Sequence, residues 1–183
     1  MPRSDAERNQ RALLEAAADA LARTPRASMA QVARAAGLAR ATLYRHFSSR
    51  KELVAAIRAE ALVRAADAIA ESRPEEGTAL EGLRRAVEAL ALLGVRFRAL
   101  LLEGADLDVT FLQQRAEVLA PLQAVVRRGQ EAGLIRSDLA PEWVVTAMAS
   151  LLVAGVRTST DTGDGRVADI VFSTLTNGVA ARP

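Results

Sequence analysis

Three short boxes in the first 52 residues, Ser4-Asp5-Ala6-Glu7, Ser28-Met29-Ala30-Gln31 and Ser49-Arg50-Lys51-Glu52, each place a serine three residues ahead of Glu or Gln. A serine oxygen takes an orphan amide of a new helix, and the acid or amide side chain reaches back to the serine backbone. The chain is therefore forced into short helices from its start. In the first, Leu14, Ala17, Ala18 and Leu21 form one apolar stripe, and Thr24-Pro25 ends it, because the residue before proline is driven from helical angles. The second carries Val32 and Ala33 and stops at Ala36-Gly37, where glycine can take the left-handed turn after a helix end. A third covers Arg40–Phe47, and a long fourth runs from the last box through Leu53, Ile57 and Leu62 to Glu71. Four helices so closely spaced leave no room for a sheet.

Ser72-Arg73-Pro74-Glu75-Glu76-Gly77 is a break, and the remainder also reads as helices. These are expected over Thr78–Leu93, Val95–Glu103, Thr110–Ala132 and Pro141–Arg157. A polar, glycine-containing connection, Thr158–Gly165, precedes a last helix with Val167, Ile170, Val171, Thr174, Leu175 and Gly178 at helical spacing. Aromatic residues make up only 3% of the 183, as suits helices better than strands. The fold class expected is all-α. With no cysteine and one histidine, neither a thiolate site nor a polyhistidine metal site is expected. The longest uncharged stretch, Trp143–Val156, has 14 residues, which suits a buried helix rather than a bilayer crossing. Met1–Arg8 has no apolar signal core, so a cytoplasmic protein is expected.

The net charge of +2 conceals an asymmetry. Residues 1–52 hold ten Lys and Arg against five Asp and Glu, a balance of +5, whereas residues 53–183 hold fourteen against seventeen, a balance of −3. Between Ala20 and Lys51 stand seven basic residues (Arg23, Arg26, Arg34, Arg40, Arg45, Arg50, Lys51) and no acidic one. An arginine-rich composition alone does not clear every acid from such a run. A polyanion-binding head on a body with another task is the better reading.

Met29–Phe47 has the layout of a helix-turn-helix. Val32, Ala33, Leu38, Leu43 and Phe47 can lock its two helices together, leaving Arg40, Ala41, Thr42, Tyr44, Arg45 and His46 on the outside. A helix of this kind fits the major groove with its first turn nearest the base edges. Arg40 suits a guanine, and Ala41 or the Thr42 methyl suits a thymine methyl. Tyr44, His46, Arg50 and the Ser28 hydroxyl suit phosphates, which position a protein without specifying sequence. Arg45 and Lys51 complete the basic surface.

The stretch from Ala36 to Leu53, with Thr42-Leu43-Tyr44-Arg45-His46-Phe47, two spacer residues and then a basic residue opening the next helix, resembles the DNA-binding signature of the TetR (tetracycline repressor) family. The resemblance covers about Glu7–Leu62; beyond it only the layout is similar. It implies a homodimeric transcriptional regulator, usually a repressor, bound to a palindromic double-stranded operator and released by a small-molecule effector. It implies a DNA-binding domain at 1–52 and an effector-binding and dimerisation domain at 53–183. Carried over by position, Arg40, Ala41 and Thr42 match base-reading residues, Tyr44, His46 and Arg50 match backbone-contacting ones, and Ser28 matches a hydroxyl that meets phosphate. The family often places Ser or Thr before the recognition helix; here Ala39 stands there, and a missing side-chain cap costs about 0.5–2 kcal/mol.

For the body, Phe97, Leu101, Phe111, Leu122, Trp143, Met148, Leu151 and Leu152 are candidates to line an effector pocket or simply to form core. Glu103, Asp106 and Asp108 form an acidic cluster better read as a solvated helix end. Val145, Leu152 and Val156, with Ile170, Val171 and Leu175, are candidates for a four-helix bundle across a two-fold axis, the alternative being burial inside one chain. No base–nucleophile pair outside the helix-turn-helix, phosphate-cradling glycine run or metal-ligand set is present in the sequence, so neither an enzyme nor a cofactor is expected. The rival reading is a helical interaction module that binds DNA without sequence preference and has no effector.

Overall fold

The structure, a computed structural model, describes residues 2–97, 109–158 and 166–179, with backbone alone for 2–8 and 179. Among the described residues the regular elements are nine helices: α1 (Pro2–Arg23), α2 (Met29–Ala35), α3 (Arg40–His46), α4 (Arg50–Glu71), α5 (Ala79–Arg96), α6 (Val109–Leu119), α7 (Pro121–Glu131), α8 (Pro141–Thr158) and α9 (Arg166–Val179). They fall into two compact units. The first gathers the chain up to Val63 with Arg96 and Phe97; the second gathers Arg64–Val95 and the described residues from Val109 onward. Helix α4 thus supplies side chains to both.

In the first unit, α2 packs against α1 and α3. Leu14, Ala17, Ala18 and Leu21 of α1, Val32 and Ala33 of α2, Leu43 of α3 and Phe47 are all buried. So are Leu53, Val54 and Ile57, which carries this unit past the 52/53 boundary read from the sequence. Helix α1 starts at Pro2, ahead of the expected Ser4 box, so Ser4 lies inside the helix instead of capping it. Proline is well suited to that place, since its missing N–H belongs to a first turn that has no intrahelical acceptor anyway.

In the second unit, α8 packs against α7 and α9, and α6 adjoins α7. The expected single helix over 110–132 is two, α6 and α7, divided at Ala120–Pro121. Pro121 has no N–H to continue the ladder, and the Ala120 amide turns to the carbonyl of Glu117 at 3.2 Å. Helix α5 continues through Val95, where a new helix was expected. Residues 98–103 of that expected helix, the acidic cluster Glu103, Asp106 and Asp108, and the connection 159–165 lie outside the described residues.

The α4–α5 connection is held by two arginines. The Arg85 guanidinium donates to the carbonyls of Ser72 at 2.9 Å, Arg73 at 2.7 Å and Glu76 at 2.7 Å. Arg128 donates to those of Glu75 at 2.6 Å and Pro74 at 3.1 Å. The loop lies so close to α5 that a Cβ on Gly82 would stand 2.1 Å from the Pro74 carbonyl oxygen. Gly82→Ala in a helix interior ordinarily gains about 1 kcal/mol. Here it is expected to cost about 1–3 kcal/mol, because backbone must move to admit the methyl, as chemical denaturation will show.

Helix starts α2, α4 and α5 use related caps with different chemistry. At α2 the Ser28 amide donates to the Gln31 side-chain oxygen at 2.8 Å, and the Gln31 amide donates to the Ser28 hydroxyl at 3.3 Å. At α5 both the amide and the hydroxyl of Thr78 donate to Glu81, at 2.8 and 2.9 Å. At α4 the Glu52 amide meets the Ser49 hydroxyl at 3.2 Å, but its carboxylate reaches one residue further back, to the Ser48 amide at 2.7 Å and hydroxyl at 2.6 Å. The Ser48 hydroxyl and amide hold the Glu52 carboxyl below its ordinary 4.5, and the Thr78 amide and hydroxyl do the same for Glu81. A carboxyl lowered in the fold contributes stability that is complete above the ordinary value and lost as pH falls through the lowered one. Amide exchange at Ser48 and Thr78 is therefore expected to accelerate below about pH 4.5, relative to the intrinsic rate, while Ser28, capped by an amide that does not titrate, serves as the unchanged reference.

Candidate nucleic-acid interface

The site is built on α3, and α3 is held from behind. Its seven residues are too few to be helical alone, and its N-cap, Ala39, makes no side-chain hydrogen bond. Two things compensate. Leu43 is completely buried and Phe47, just past the helix end, nearly so. The turn before α3 is closed by backbone bonds from Leu38 to the Ala33 carbonyl at 2.8 Å and from Gly37 to the Arg34 carbonyl at 3.2 Å. That turn needs a left-handed residue, and Gly37 supplies it at φ 68°.

The opposite face of α3 is open. Arg40, Ala41, Tyr44, Arg45 and His46 are exposed and Thr42 is half-buried. The Arg40 guanidinium sits over the Tyr44 ring, 5.2 Å from its centre, so one turn of helix orients the cation before any ligand arrives. Ser28 and Lys51 are exposed as well, as are Arg23, Arg26 and Arg34 of the acid-free run.

Arg50 behaves differently. It is half-buried, and its guanidinium donates from Nε to the Ala27 carbonyl at 3.1 Å and from Nη2 to the Pro25 carbonyl at 2.6 Å. The sequence suggested a phosphate for this residue; the structure places both of those donors on the α1–α2 connection.

Beside α3 runs an open trough that reading the sequence overlooked. Asn9, Gln10, Ala12 and Leu13 of α1 form one wall, and Leu38, Thr42, Arg45 and His46 the other. Asn9 and Gln10 lie one turn ahead of Leu13 and Leu14 in the apolar stripe of α1, the one sequence signal that sets them beside α3.

The body candidates are dispersed. Phe97 is buried and belongs to the first unit, whereas Phe111, Leu122, Trp143 and Met148 belong to the second. Leu122 and Met148 are fully buried, Phe111 and Leu151 half-buried, and Trp143 is 56% exposed. Leu101 lies outside the described residues. Of the residues expected to face a second chain, Val145, Leu152, Val156, Val171 and Leu175 are buried inside the protomer, where α8 packs on α7 and α9. For these five, burial inside one chain, the alternative left open by the sequence, accounts for their apolar character. Ile170, 60% exposed, is the exception.

Comparison with known proteins bears on the head first. Residues 13–57 match the model for bacterial regulatory proteins of the tetR family. Over nearly its whole length the chain is similar to the HTH-type transcriptional repressor LfrR of Mycolicibacterium smegmatis, with 29% identity over 179 residues, 97% of this chain and 93% of the relative. The crystal structure of LfrR in complex with proflavine superposes with a TM-score of 0.77 at 26% identity, covering 95% of this chain and 97% of that one. PfmR of Thermus thermophilus gives a TM-score of 0.72 at 26% identity, covering 90% and 93%. With a supported helix exposing a basic face, residues 13–57 form a DNA-binding head of the kind found in the tetR family, and with likeness to such regulators extending through both units the chain is a DNA-binding transcriptional regulator.

Proposed function

We propose that the protein is a sequence-specific repressor that acts as a homodimer on a palindromic operator and leaves it when a small molecule binds the second unit. The observation that carries this reading is the outer face of α3, where Arg40 is oriented by Tyr44 and flanked by Ala41, Thr42, Arg45 and His46. Arg40, Ala41 and Thr42 read bases, with the Arg40 fork on a guanine. Tyr44, Arg45, His46, Lys51 and Ser28 meet the phosphates on either side. The exposed Ser28 hydroxyl accepts the Gln31 amide and retains its own hydrogen to donate to an anion.

A single α3 reads few base pairs, so the proposed second copy doubles the site, with the two recognition helices about 34 Å apart along the duplex. Ile170 is the side chain of the expected set that remains available to that partner. Effector release requires the ligand to favour a second state of the body, with a coupling on the order of 1–3 kcal/mol. Helix α4, contributing residues to both units, is the element through which that preference reaches the head. LfrR has been crystallised with proflavine, so a planar organic cation of that kind is the first effector to try.

Selection from a random duplex pool is expected to return an inverted repeat. On the selected duplex Arg40→Ala should cost about 1–3 kcal/mol and relax preference at one base pair per half-site, with little loss on random DNA. Lys51→Ala should weaken both alike and reduce the slope of log affinity against log salt by about 0.9 per site. Equal losses for Arg40→Ala on selected and random duplexes would remove base reading from α3. Proflavine is expected to quench on binding and to lower affinity for the selected duplex; binding without that loss would remove it as an effector.

A further inference from the structure

We infer that Arg50 is a positioning residue for DNA binding: it acts through the α1–α2 connection and not as a phosphate ligand. The inference rests on the DNA-binding reading above and refines the surface that performs it. The connection is a tight turn, closed by the Ala27 amide on the Thr24 carbonyl at 3.0 Å. Closing it that way leaves the carbonyls of Pro25 and Ala27 to be satisfied from elsewhere, and Ala27 is itself buried. Arg50, the first residue of α4, answers both with one planar fork, at 2.6 and 3.1 Å.

The position matters because of what stands next to those carbonyls. Arg26, exposed between them, and Ser28, the N-cap of α2, are the groups this turn offers to a phosphate strand. The fork thereby sets the distance between the start of α2 and the start of α4, two points on either side of α3 in sequence. It also covers two carbonyl dipoles whose negative ends would otherwise repel the same strand. A lysine has the charge for a phosphate but only a single ammonium, which does not hold two carbonyls in one plane. Contact and positioning therefore predict opposite outcomes for a conservative exchange.

The test compares Arg50→Ala, Arg50→Lys and Lys51→Ala on the selected duplex across a range of salt, with amide exchange of the DNA-free proteins measured alongside. Positioning predicts that Arg50→Ala and Arg50→Lys both lose about tenfold in affinity, the effect of one broken tie to a partly buried carbonyl. It predicts that Arg50→Lys keeps the wild-type salt slope, and that exchange at Ala27, Ser28 and Gln31 rises in both free variants. Restoration of affinity by Arg50→Lys would overturn the inference. So would a slope lowered by about 0.9 in Arg50→Ala with unchanged exchange at Ala27–Gln31, the signature of a lost phosphate contact. Failure of the underlying reading would look different: the wild-type protein itself would show neither affinity nor salt dependence, whatever stands at position 50. Should Arg50→Ala not fold, the Arg50→Lys arm decides alone, since it preserves charge and stem.

Discussion

A helix of seven residues cannot persist in water by itself, and the proposed reading of base pairs depends on one that does. Its order is borrowed from Leu43, buried to zero exposure, and from the backbone-closed turn at Gly37. Removing a buried leucine of this sort costs about 2–5 kcal/mol, more than the missing side-chain cap at Ala39. Because the support all comes from one side, the other side of α3 carries no structural duty. Arg40, Tyr44, Arg45 and His46 are released from packing constraints and can be chosen for the ligand they meet.

Beside the arginines that pair with carboxylates, two further groups among the described residues are separated by what the guanidinium faces. On α3 it faces solvent and, in Arg40, an aromatic ring. At the two ends of α4 it faces backbone. Arg50 ties the helix start to the α1–α2 turn, and Arg85 and Arg128 tie the loop after its end to the second unit. Planar, multiply bonded forks at both ends fix how the chain enters and leaves this helix. That is the property the proposed function asks of the element shared by the two units.

Much of the head is readable from residue order. The serine boxes mark the starts of α2 and α4, glycine marks the turn, and the apolar spacing marks Val32, Ala33, Leu43 and Phe47 as interior. The errors have local causes. Ser4 resembles a cap only until Pro2 proves able to open the helix earlier, and the break at Pro121 is masked by an apolar period that continues on both sides of it. Glu52 satisfies Ser48 rather than the serine its spacing indicated, a shift of one residue that pattern alone does not resolve.

What the sequence determined by itself is whatever depends on neighbours within a few positions: helix starts, the left-handed turn, the acid-free run and the identity of the side chains on the outer face of α3. Such features are set by hydrogen bonds and sterics over one or two turns, and these are written in residue order. Only the tertiary structure decided which partner each long side chain chose. It took Arg50 from solvent to two carbonyls more than twenty positions away, and it enclosed Val145, Leu152, Val156, Val171 and Leu175 within a single chain. An apolar stripe declares that it will be covered; whether by its own chain or by another follows from packing that no local spacing encodes.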